Sequence, residues 1–387
     1  MKNNAFCLLT PVFYIVAPDF CLLTPVFCII YSFMEKVEII DPIKDPRWDK
    51  FVEAHPFGWI VHLSDWKKVL EKSFPHMKGH YLALVDVESS EIRAALPLFE
   101  VRSRLTGNRL VSVPFAQLCD PLIRTSDDMA KLLDGAFDLS KRLKTSYIEI
   151  RTYNAPSFPD ERLRADELYK HHFIKLDNDP GIIRKSFHQR GINQAINRAI
   201  RNELELKVAD CEEDVKAFND LFMQTRKRLG VPYQPYLFLK TLWDIFHPLN
   251  RLILLLAKHK NRIASGILFF QFNGRFSAEW EGWDTSFGNI NPNHFIFWEG
   301  IKLAHKNENR IFDFGITSPT NEGLVTFKNR WGTEVVDFHR YYYSLDASKT
   351  YLESETSLKQ KVIEGICRKS PSKLYELFGI FCFRHMG

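Results

Sequence analysis

The stretch RLILLLAKHKNRIASGILFFQFNGRFSAEWEGW, residues 251–283, decides the fold. It contains three apolar segments, 251–258, 263–272 and 275–283, which are separated by the short polar sequences HKNR and NG. Segments of this length that are rich in Ile, Leu and Phe predict strands, and Asn-Gly between two of them is a strong hairpin signal. We therefore predict an antiparallel meander of three strands here.

Helical patterns flank this meander on both sides. Residues 184–203 form a basic helical stretch, and residues 212–229 predict a second helix. After the loop 284–292, the apolar spacing of residues 295–303 predicts a helix that leads into the buried strand IFDFG at 311–315. The second half of the chain is thus predicted as helices, three strands, a helix and a strand.

The first half has a related order of elements. Two apolar runs, 81–87 and 92–101, predict a hairpin, and Ser126 is a suitable N-cap for the helix that follows. An alternating segment at 147–153 predicts a further strand before the loop 155–161. Both halves therefore mix strands with helices, and the sequence predicts an α/β (mixed α+β) protein made of two copies of one unit.

Composition limits the classes of function. A chain of 387 residues with 45% hydrophobic residues, 26% charged residues and 32 Phe can build two globular domains. The formal net charge of +5 suits anionic ligands such as phosphate-bearing carriers without requiring nucleic acid. The seven cysteines and 13 histidines lack disulfide or metal-site spacing, which favours a reducing cytoplasm and no metal cofactor.

The first 33 residues differ from the rest of the chain. The sequence FCLLTPVF at 6–13 recurs at 20–27 in an apolar, Pro-interrupted context that is too short to span a bilayer. We expect residues 1–33 to be a mis-assigned extension, with translation starting at Met34; an apolar leader or membrane anchor is the alternative. N-terminal sequencing of the native protein distinguishes the two.

Five motifs in a fixed order carry a resemblance to a known family. Together they resemble the FemAB-like family and its BioF2-like acetyltransferase relatives, which are related to the GNAT-fold aminoacyltransferases of peptidoglycan bridges. The motifs are HPFGWIVHLSDWKKVL (55–70), LPLFEVRSRLTGNRLVSVPF (96–115), TRKRLGVPYQP (225–235), FDFG (312–315) and GLVTFKNRWGTE (323–334).

The resemblance implies two tandem acetyltransferase (GNAT)-like domains with a cleft between them. We expect these domains at residues 35–175 and 176–345, followed by a peripheral helical tail at 346–387. The implied enzyme forms an amide by moving an acyl or aminoacyl group onto an amine of a cell-envelope precursor of peptidoglycan or exopolysaccharide. Its expected location is the cytoplasm or the inner face of the membrane.

The donor stays open between acyl-CoA and aminoacyl-tRNA. The chain has no inserted helical arm of the kind by which some family members engage tRNA, and it reads DTSFGNINPN (284–293) where the pyrophosphate loop of acetyl-CoA transferases would fall. The implied partners are an anionic envelope precursor or nucleotide-linked sugar, charged tRNA, and a peripheral contact with the membrane.

Two residues are expected to be catalytic. The resemblance makes Lys328 the candidate that binds donor phosphate or stabilises the tetrahedral intermediate, and a solvated surface lysine is the alternative. Asp313 lies on a buried strand, where an unpaired carboxylate is costly, so we expect an Arg or backbone donors beside it. A structural ion pair and a catalytic role are both open for Asp313.

The residues expected to bind substrate are Arg226, Arg228, Arg190, Asn193, Asn291, His294, Trp298 and Trp331. Arg226 and Arg228 point about 200° apart on a helix, so we expect at most one or two of the basic residues 226–228 to enter the cleft and the rest to face water. Asn291 has the alternative role of a helix cap, and His294 that of a base. Glu279 and Glu281 alternate with Trp280 on one strand and are expected to share a face, towards either the cleft or water.

Two other functions compete with catalysis. A non-catalytic protein could bind an envelope precursor or a polysaccharide-assembly partner in the same cleft. RNA binding through residues 184–201 is weaker, because Phe187 is the only aromatic residue there that could stack on bases. The DFG string at 313–315 lacks the Gly-rich and catalytic loops of a kinase, so a kinase is excluded.

Overall fold

The computed structural model describes residues 35–152, 160–344 and 358–386. The predicted start at Met34, the alternatives for residues 1–33, the loop 155–161 up to Pro159 and the first part of the tail lie outside the described residues.

The described residues form one large mixed sheet with helices packed on both of its faces. Its strands are β1 Glu35–Ile40, β2 Met77–Asp86, β3 Ile92–Val101, β4 Arg109–Val111, β5 Tyr147–Thr152, β6 Arg164–Lys175, β7 Glu205–Val208, β8 Leu252–His259, β9 Arg262–Phe272, β10 Arg275–Trp283, β11 Ile311–Thr317 and β12 Glu334–Ser344. The α-helices are α1 Pro46–Ala54, α2 Ser64–Ser73, α3 Ser126–Leu143, α4 Pro180–Ile183, α5 Gln194–Arg201, α6 Glu212–Leu229, α7 Tyr236–Phe246, α8 Pro292–Lys306, α9 Glu322–Asn329, α10 Leu358–Lys369 and α11 Ser372–Phe383.

The strand order reveals two related halves. It runs β1-β2-β3-β4-β5-β12-β6-β11-β10-β9-β8-β7 across the described residues. Both halves show the same pattern when the strands are followed from the outer edge to the centre of the sheet. Antiparallel neighbours come first, then one parallel pair, which is β4 with β5 in the first half and β10 with β11 in the second. The strand next to this pair, β12 or β6, is again antiparallel. The two copies of one α/β unit predicted from the sequence correspond to these halves.

The two halves are joined by an exchange of strands. The last described strand, β12, pairs with β5 of the first half, and β6 pairs with β11 of the second half. β6 and β12 then pair with each other at the centre of the sheet. The sheet is continuous because each half is completed by a strand from the other part of the chain.

The predicted meander is present at β8, β9 and β10. Asn273 and Gly274 connect β9 and β10 with φ angles of 47° and 76°. A two-residue hairpin turn with both central residues at positive φ matches the right-handed twist of the strands, and Asn-Gly tolerates it best.

Within the described part of the chain, three apolar clusters form the core. One is confined to the first half around α3, a second lies in the second half around α5 and α8, and the third draws on both halves. In the third cluster, Trp66 of α2 lies 5.8 Å from Phe246 of α7 between ring centroids and 5.5 Å from Phe270 of β9. This shared cluster fixes the two halves around the cleft that holds the site.

Two local predictions require correction. The N-cap of α3 is Thr125 rather than Ser126, because the Thr125 side chain accepts the backbone hydrogen of Asp128 while Asp128 caps in return. Residues 184–203 do not form one helix: a 3₁₀ turn at Arg184–Ser186 and a π turn at Gln189–Asn193 precede α5. Gly191 and the side chain of His188, which accepts the Gly191 N–H, shape that interruption.

The tail is helical as predicted, but its contacts do not fit a peripheral position. Tyr375 and Cys367 are fully buried, and Phe383 is 3% exposed within the cluster that both halves share. The Tyr375 hydroxyl donates to the carbonyl oxygen of Val231 at 2.7 Å. The Ser/Glu/Lys-rich sequence before these helices obscured the fact that one face of each helix is apolar enough to join the core.

Among the described residues, no helix combines the length and the apolar character that crossing a lipid bilayer requires.

Candidate active site

The candidate site lies where β10 and β11 separate. These strands pair in parallel over only three residues each, ending at Ser277 and Asp313. Beyond that point β10 has a bulge between Ala278 and Trp280, which breaks the alternation of its side chains. A wedge therefore opens between the two strands inside an otherwise continuous sheet.

Side chains hold the backbone of β11 along this wedge. The Gly315 N–H donates to Asp313 Oδ1 at 2.7 Å, and the Ile316 N–H donates to Gln117 Oε1 at 3.0 Å. Gly315 has a φ of +73°, and a Cβ placed on it would come within 2.2 Å of Gln117 Oε1. Only glycine fits this bend, which explains the glycine of the FDFG motif.

Lys328 binds the carbonyl oxygens of the same bend in β11. Its ammonium group donates to the carbonyl oxygens of Gly315 at 3.0 Å and Ile316 at 3.2 Å, and the residue is 6% exposed. Burial lowers the pKa of Lys328 to about 8, although the carboxylates of Asp313, Glu279 and Glu281 oppose this shift. The surface-lysine alternative is thereby excluded, because the side chain is buried and donates hydrogen bonds to the backbone of β11.

Asp313 is the fixed anion of the site. Its carboxylate lies 2.9 Å from His171 Nε2 and 3.8 Å from Arg275 Nε. Burial raises the pKa of Asp313, but His171, Arg275 and the Gly315 N–H outweigh burial and hold it well below its usual value. The predicted Arg and backbone partners are both present, and His171 is an additional partner.

Glu279 and Glu281 are the titratable groups of the wedge. Burial raises the pKa of each to about 7. Glu279 accepts hydrogen bonds from Ser277 at 2.7 Å and Gln117 at 3.2 Å. Glu281 accepts one from Asn293, whose own side-chain oxygen accepts from Ser265 at 2.6 Å. The bulge lies at Glu279 itself, so the regular alternation on which the expected shared face depended is broken there, and the two carboxylates have different hydrogen-bond partners.

The equivalent position in the first half is occupied by the protein itself. β4 and β5 also form a short parallel pair, at Leu110 with Ile148 and Val111 with Glu149. Beyond it, the Arg151 guanidinium donates to the carbonyl oxygens of Val113 and Ala116 at 3.0 and 3.1 Å. These bonds close the gap between the strands, so the open wedge belongs to the second half.

The two arginines of α6 diverge as the helical geometry predicted. Arg228 stands 4.9 Å from the ring centre of Trp283, and its charge lowers the pKa of Glu281 against the effect of burial. Arg226 instead donates to the carbonyl oxygen of Pro232 at 2.8 Å, and burial lowers its pKa. Only Arg228 is therefore placed to act on the wedge.

Asn193 and Arg190, which were expected to bind substrate, lie at the irregular turns before α5. Asn193 is buried, and its described hydrogen bonds all go to residues 184–189, including the carbonyl oxygen of Phe187 at 3.1 Å. Arg190 is exposed on the π turn next to it. Asn193 thus stabilises the irregular turn before α5, and these contacts do not connect it with Lys328.

Aromatic residues pack against β11 and against the helix that carries Lys328. Trp331 is fully buried and contacts Phe314 of β11 at 5.7 Å between ring centroids. His294 lies parallel to Trp331 at 6.1 Å, and burial lowers the pKa of His294 to about 4. Its imidazole is therefore neutral at pH 7.

The remaining two predicted residues, Trp298 and Asn291, lie on or beside α8. Trp298 is 6% exposed and packs against Phe187 at 5.9 Å, with the Arg184 guanidinium over its ring. Asn291 is the residue before α8, in the left-handed region with a φ of 55°, and its side chain makes no capping hydrogen bond. Their described contacts are with the surrounding fold: Trp298 contacts Phe187 and Arg184, and the carbonyl oxygen of Asn291 accepts the N–H of Phe295 in α8.

Two cavities adjoin the site in the cleft between the halves. The smaller, with about 20 Å³ of free space, is about the size of one water molecule and is lined by Trp59 and Gln117 of the first half and Glu279 and Asp313 of the second. The larger has about 240 Å³ and is lined by aromatic residues, Asp120, His171 and two arginines, Arg275 and Arg310. Asp313, paired with His171 and Arg275, lies between them.

One group of side chains in the described residues has the spacing of metal ligands. Asp210, Cys211 and Asp214 surround the start of α6, outside the wedge. Lys207 forms an ion pair with Asp214 at 2.7 Å, so a cation from the protein already neutralises part of this charge.

Sequence reasoning missed Gln117, His171 and Arg275. Gln117 belongs to the first half and is 199 residues from its partner Ile316. His171 belongs to the exchanged strand β6 and is 142 residues from its partner Asp313. No local motif carries such pairings. The sequence did contain a signal for Arg275. This residue begins the strand after Asn273-Gly274, and Asp313 was expected to have an Arg partner.

Comparisons with known proteins agree with this geometry. Residues 186–328, which contain the wedge and Lys328, match the family described as acetyltransferase (GNAT) domain. No curated protein sequence matches the chain.

Solved structures extend the similarity to both halves. FemX shares 15% identity with a TM-score of 0.64, covering 80% of this chain and 97% of FemX. L-PGS from Bacillus licheniformis shares 13% identity with a TM-score of 0.51, covering 86% of this chain and 98% of that one. A tandem GNAT protein from the clavulanic acid biosynthesis pathway shares 12% identity with a TM-score of 0.51, covering 81% and 100%.

At these identities the solved structures establish the fold, and the family match concerns the second half. The chain therefore has the fold shared by FemX and the tandem GNAT protein, and its residues 186–328 match an acetyltransferase (GNAT) domain, the type of domain found in N-acyltransferases.

Proposed function

We propose that the protein forms an amide by moving an acyl or aminoacyl group onto an amine of a cell-envelope precursor of peptidoglycan or exopolysaccharide. One observation carries this proposal: the buried cation Lys328 holds the bend of β11 at the wedge, within electrostatic reach of Glu279 and Glu281. The pKa values of these two glutamates, about 7, suit proton transfer near neutral pH. Acyl transfer to an amine needs both a base and a stabiliser of negative charge.

The proposed step is direct attack. Glu279, which borders the cleft, takes a proton from the acceptor ammonium, and the neutral amine attacks the carbonyl carbon of the donor. Lys328 stabilises the oxygen anion of the tetrahedral intermediate. The new C–N bond forms, the C–S or C–O bond to the carrier breaks, and the second proton of the nitrogen passes to the leaving sulfur or oxygen.

A covalent acyl-enzyme is not part of this proposal. Cys119 is buried, and burial raises the pKa of its thiol well above the usual value. Its sulfur lies 3.5 Å from His62 Nε2, but burial also lowers the pKa of His62. A protonated thiol enclosed in the core supports direct attack rather than a thioester intermediate.

The larger cavity suits an anionic part of the acceptor. Arg275 and Arg310 offer guanidinium groups beside the apolar walls of Phe57 and Trp59. Arginine binds phosphate oxygens with paired hydrogen bonds, which fits a precursor that carries phosphate or pyrophosphate. A nucleotide-linked or lipid-linked precursor has this chemistry, and the enzyme would meet it in the cytoplasm or at the inner face of the membrane.

The donor stays open between acyl-CoA and aminoacyl-tRNA. Each presents an activated carbonyl on a carrier that bears phosphate, and Lys328 and Arg228 are cations next to the wedge. A labelling experiment distinguishes the two donors.

The test follows label from donor to acceptor. Purified protein is incubated with a cell extract and either labelled acyl-CoA or labelled aminoacyl-tRNA, and the products are identified by mass spectrometry. We expect one donor to yield a new amide, with Glu279→Gln losing the product and the exposed control Glu88→Gln retaining it. An envelope precursor that binds the protein while neither label moves would refute the enzyme and favour a binding protein.

A further inference from the structure

The last helix of the described chain is apolar on both sides. Its inner face packs on the core through Tyr375, Gly379 and Phe383. A helix that is apolar all round is normally enclosed completely, by protein or by lipid. The opposite face of α11 is nevertheless open to solvent, with exposed fractions of 58% for Leu374, 62% for Leu377 and 52% for Phe381.

The preceding helix also exposes apolar side chains. On α10, Val362 is 59% exposed and Ile366 is 38% exposed, one turn apart on the same side of the helix. Cys367 lies on the other side and is fully buried. We refer to the exposed apolar side chains of α10 and α11 as the tail surface. Its members come from two consecutive helices, whereas most proteins expose apolar residues singly.

Basic residues accompany the tail surface. Residues 358–386 contain six Lys or Arg and only two Glu, whereas the whole chain has a formal net charge of +5. The segment therefore holds most of the net positive charge in a small part of the sequence. The exposed members are Lys361, Arg368, Lys369, Lys373 and Arg384.

We propose that the tail surface docks on an anionic phospholipid bilayer. Helices that lie on membranes place Leu and Phe in the boundary between headgroups and acyl chains, while Lys and Arg contact anionic headgroups. Leu374, Leu377 and Phe381 provide the apolar contact, and the basic residues around them provide the attraction.

A second copy of this chain is a poorer occupant of the tail surface. A two-fold dimer brings the same patch of both molecules together. Residues 358–386 of each copy contain six basic and two acidic residues, so two positively charged surfaces would face each other and repel. An anionic bilayer has the opposite charge, so charge complementarity favours lipid.

Docking through this surface would bring the cleft near the membrane. Phe383, on the inner side of α11, contacts Phe115 at 5.1 Å between ring centroids, and Phe115 lines the smaller cavity beside Glu279. The proposal rests on the tail alone and does not depend on the proposed acyl transfer.

Co-sedimentation of the full chain with lipid vesicles tests the proposal. We expect binding to vesicles of equal parts phosphatidylglycerol and phosphatidylcholine, and at least about tenfold weaker binding to pure phosphatidylcholine, because each basic residue near an anionic surface contributes about fivefold. Binding should also weaken as salt rises from about 0.1 M to about 1 M, which shortens the screening length.

Matched variants separate the tail surface from other contacts. Leu377→Glu should weaken binding to anionic vesicles at least about tenfold by placing a charge where an apolar side chain meets lipid. Leu249→Glu, a leucine of similar exposure (49%) in the turn after α7, should bind as wild type. The pair Lys369→Gln and Lys373→Gln should lower binding about tenfold or more, and Lys50→Gln should not.

Three outcomes would overturn the proposal. They are equal binding to anionic and neutral vesicles, no vesicle binding together with a dimer that Leu377→Glu dissociates, and vesicle binding that Leu377→Glu retains. The last result would assign the contact to another part of the chain, such as the apolar residues 1–33.

Discussion

The ammonium group of Lys328 lies 3.0 Å from the carbonyl oxygen of Gly315, at the residue where β11 adopts a left-handed conformation. This contact joins the GLVTFK and FDFG motifs, which are separated in sequence, into one structural unit. It fixes the position of a buried positive charge before any substrate arrives, and pre-organised charge is what stabilises a developing oxyanion effectively.

Replacing Lys328 should therefore affect turnover strongly. Lys328→Met keeps the length of the side chain but removes its charge, and we expect kcat to fall by about 10² or more because one oxyanion stabiliser is lost. Steady-state kinetics with the donor identified by labelling measure this. Lys302→Met, at a more exposed lysine on α8, is the control, and normal turnover in Lys328→Met would refute the role of Lys328.

The reaction should have a narrow pH optimum. Glu279 must be ionised to accept a proton, so kcat/KM should rise with pH through its pKa of about 7. Lys328 must stay protonated, so kcat/KM should fall as the pH passes about 8. The profile is then bell-shaped with its maximum between these values.

Glu279→Gln should remove the acidic limb of that profile and lower kcat/KM by about 10²–10⁴. Glu281→Gln is the informative comparison, since the pKa of Glu281 is also about 7. If the acidic limb disappears in Glu281→Gln and persists in Glu279→Gln, the base is Glu281 and the assignment made here is wrong.

Asp313→Asn should destabilise the protein. The amide cannot balance Arg275 and His171, and breaking a buried charge pair from one side costs about 3–5 kcal/mol. Because the pKa of Asp313 is lowered in the fold, the carboxylate stabilises the protein above its ordinary value of 3.8 and loses this effect as the pH falls towards the folded value. Denaturant unfolding should show a large deficit at pH 7 that shrinks in acid.

The sequence contained much of the local structure but little of the long-range pairing. Asn273-Gly274, the apolar runs of the meander and the helix at 212–229 act over a few residues, so their pattern predicts them directly. The exchange of β6 and β12 between the halves depends on pairing across the whole chain, and no local signal encodes it. That exchange is also what brings His171 to Asp313.

The site shows the same division between local and distant effects. Burial of Asp313 and its need for an Arg partner followed from the apolar strand around it. The pKa values of Glu279 and Glu281 depend on how deeply the strand bulge and the packing of α6 enclose them, which alternation along one strand cannot reveal. Lys328 was identified through its motif, whereas its burial depends on the bend at Gly315.

Tyr375 offers a test of the tail's place in the core. Its ring is fully buried, and its hydroxyl donates to Val231, so Tyr375→Ala should lower the free energy of unfolding by about 3–5 kcal/mol. The neighbouring Leu374 is 58% exposed, and Leu374→Ala should stay within about 0.5 kcal/mol of wild type. Equal stability of the two variants in urea unfolding would show that the tail is peripheral after all.

The two glycines of the tail helices provide a sharper comparison. Both lie within helices, where Gly→Ala alone favours folding by about 0.5–1 kcal/mol. A Cβ on Gly365 of α10 would meet nothing within 4 Å, so Gly365→Ala should gain this stabilisation. A Cβ on Gly379 of α11 would come within 2.4 Å of the carbonyl oxygen of Tyr233.

Gly379→Ala must therefore push α11 away from the backbone of Tyr233, and we expect a net loss of stability of about 1–3 kcal/mol despite the gain in helix propensity. Thermal unfolding of the two variants beside wild type measures the opposite signs directly. Because helix propensity changes equally in both, the difference between them reports only the close approach of α11 to the loop after α6. Two variants that are both more stable than wild type would mean that α11 does not pack as closely as these distances indicate.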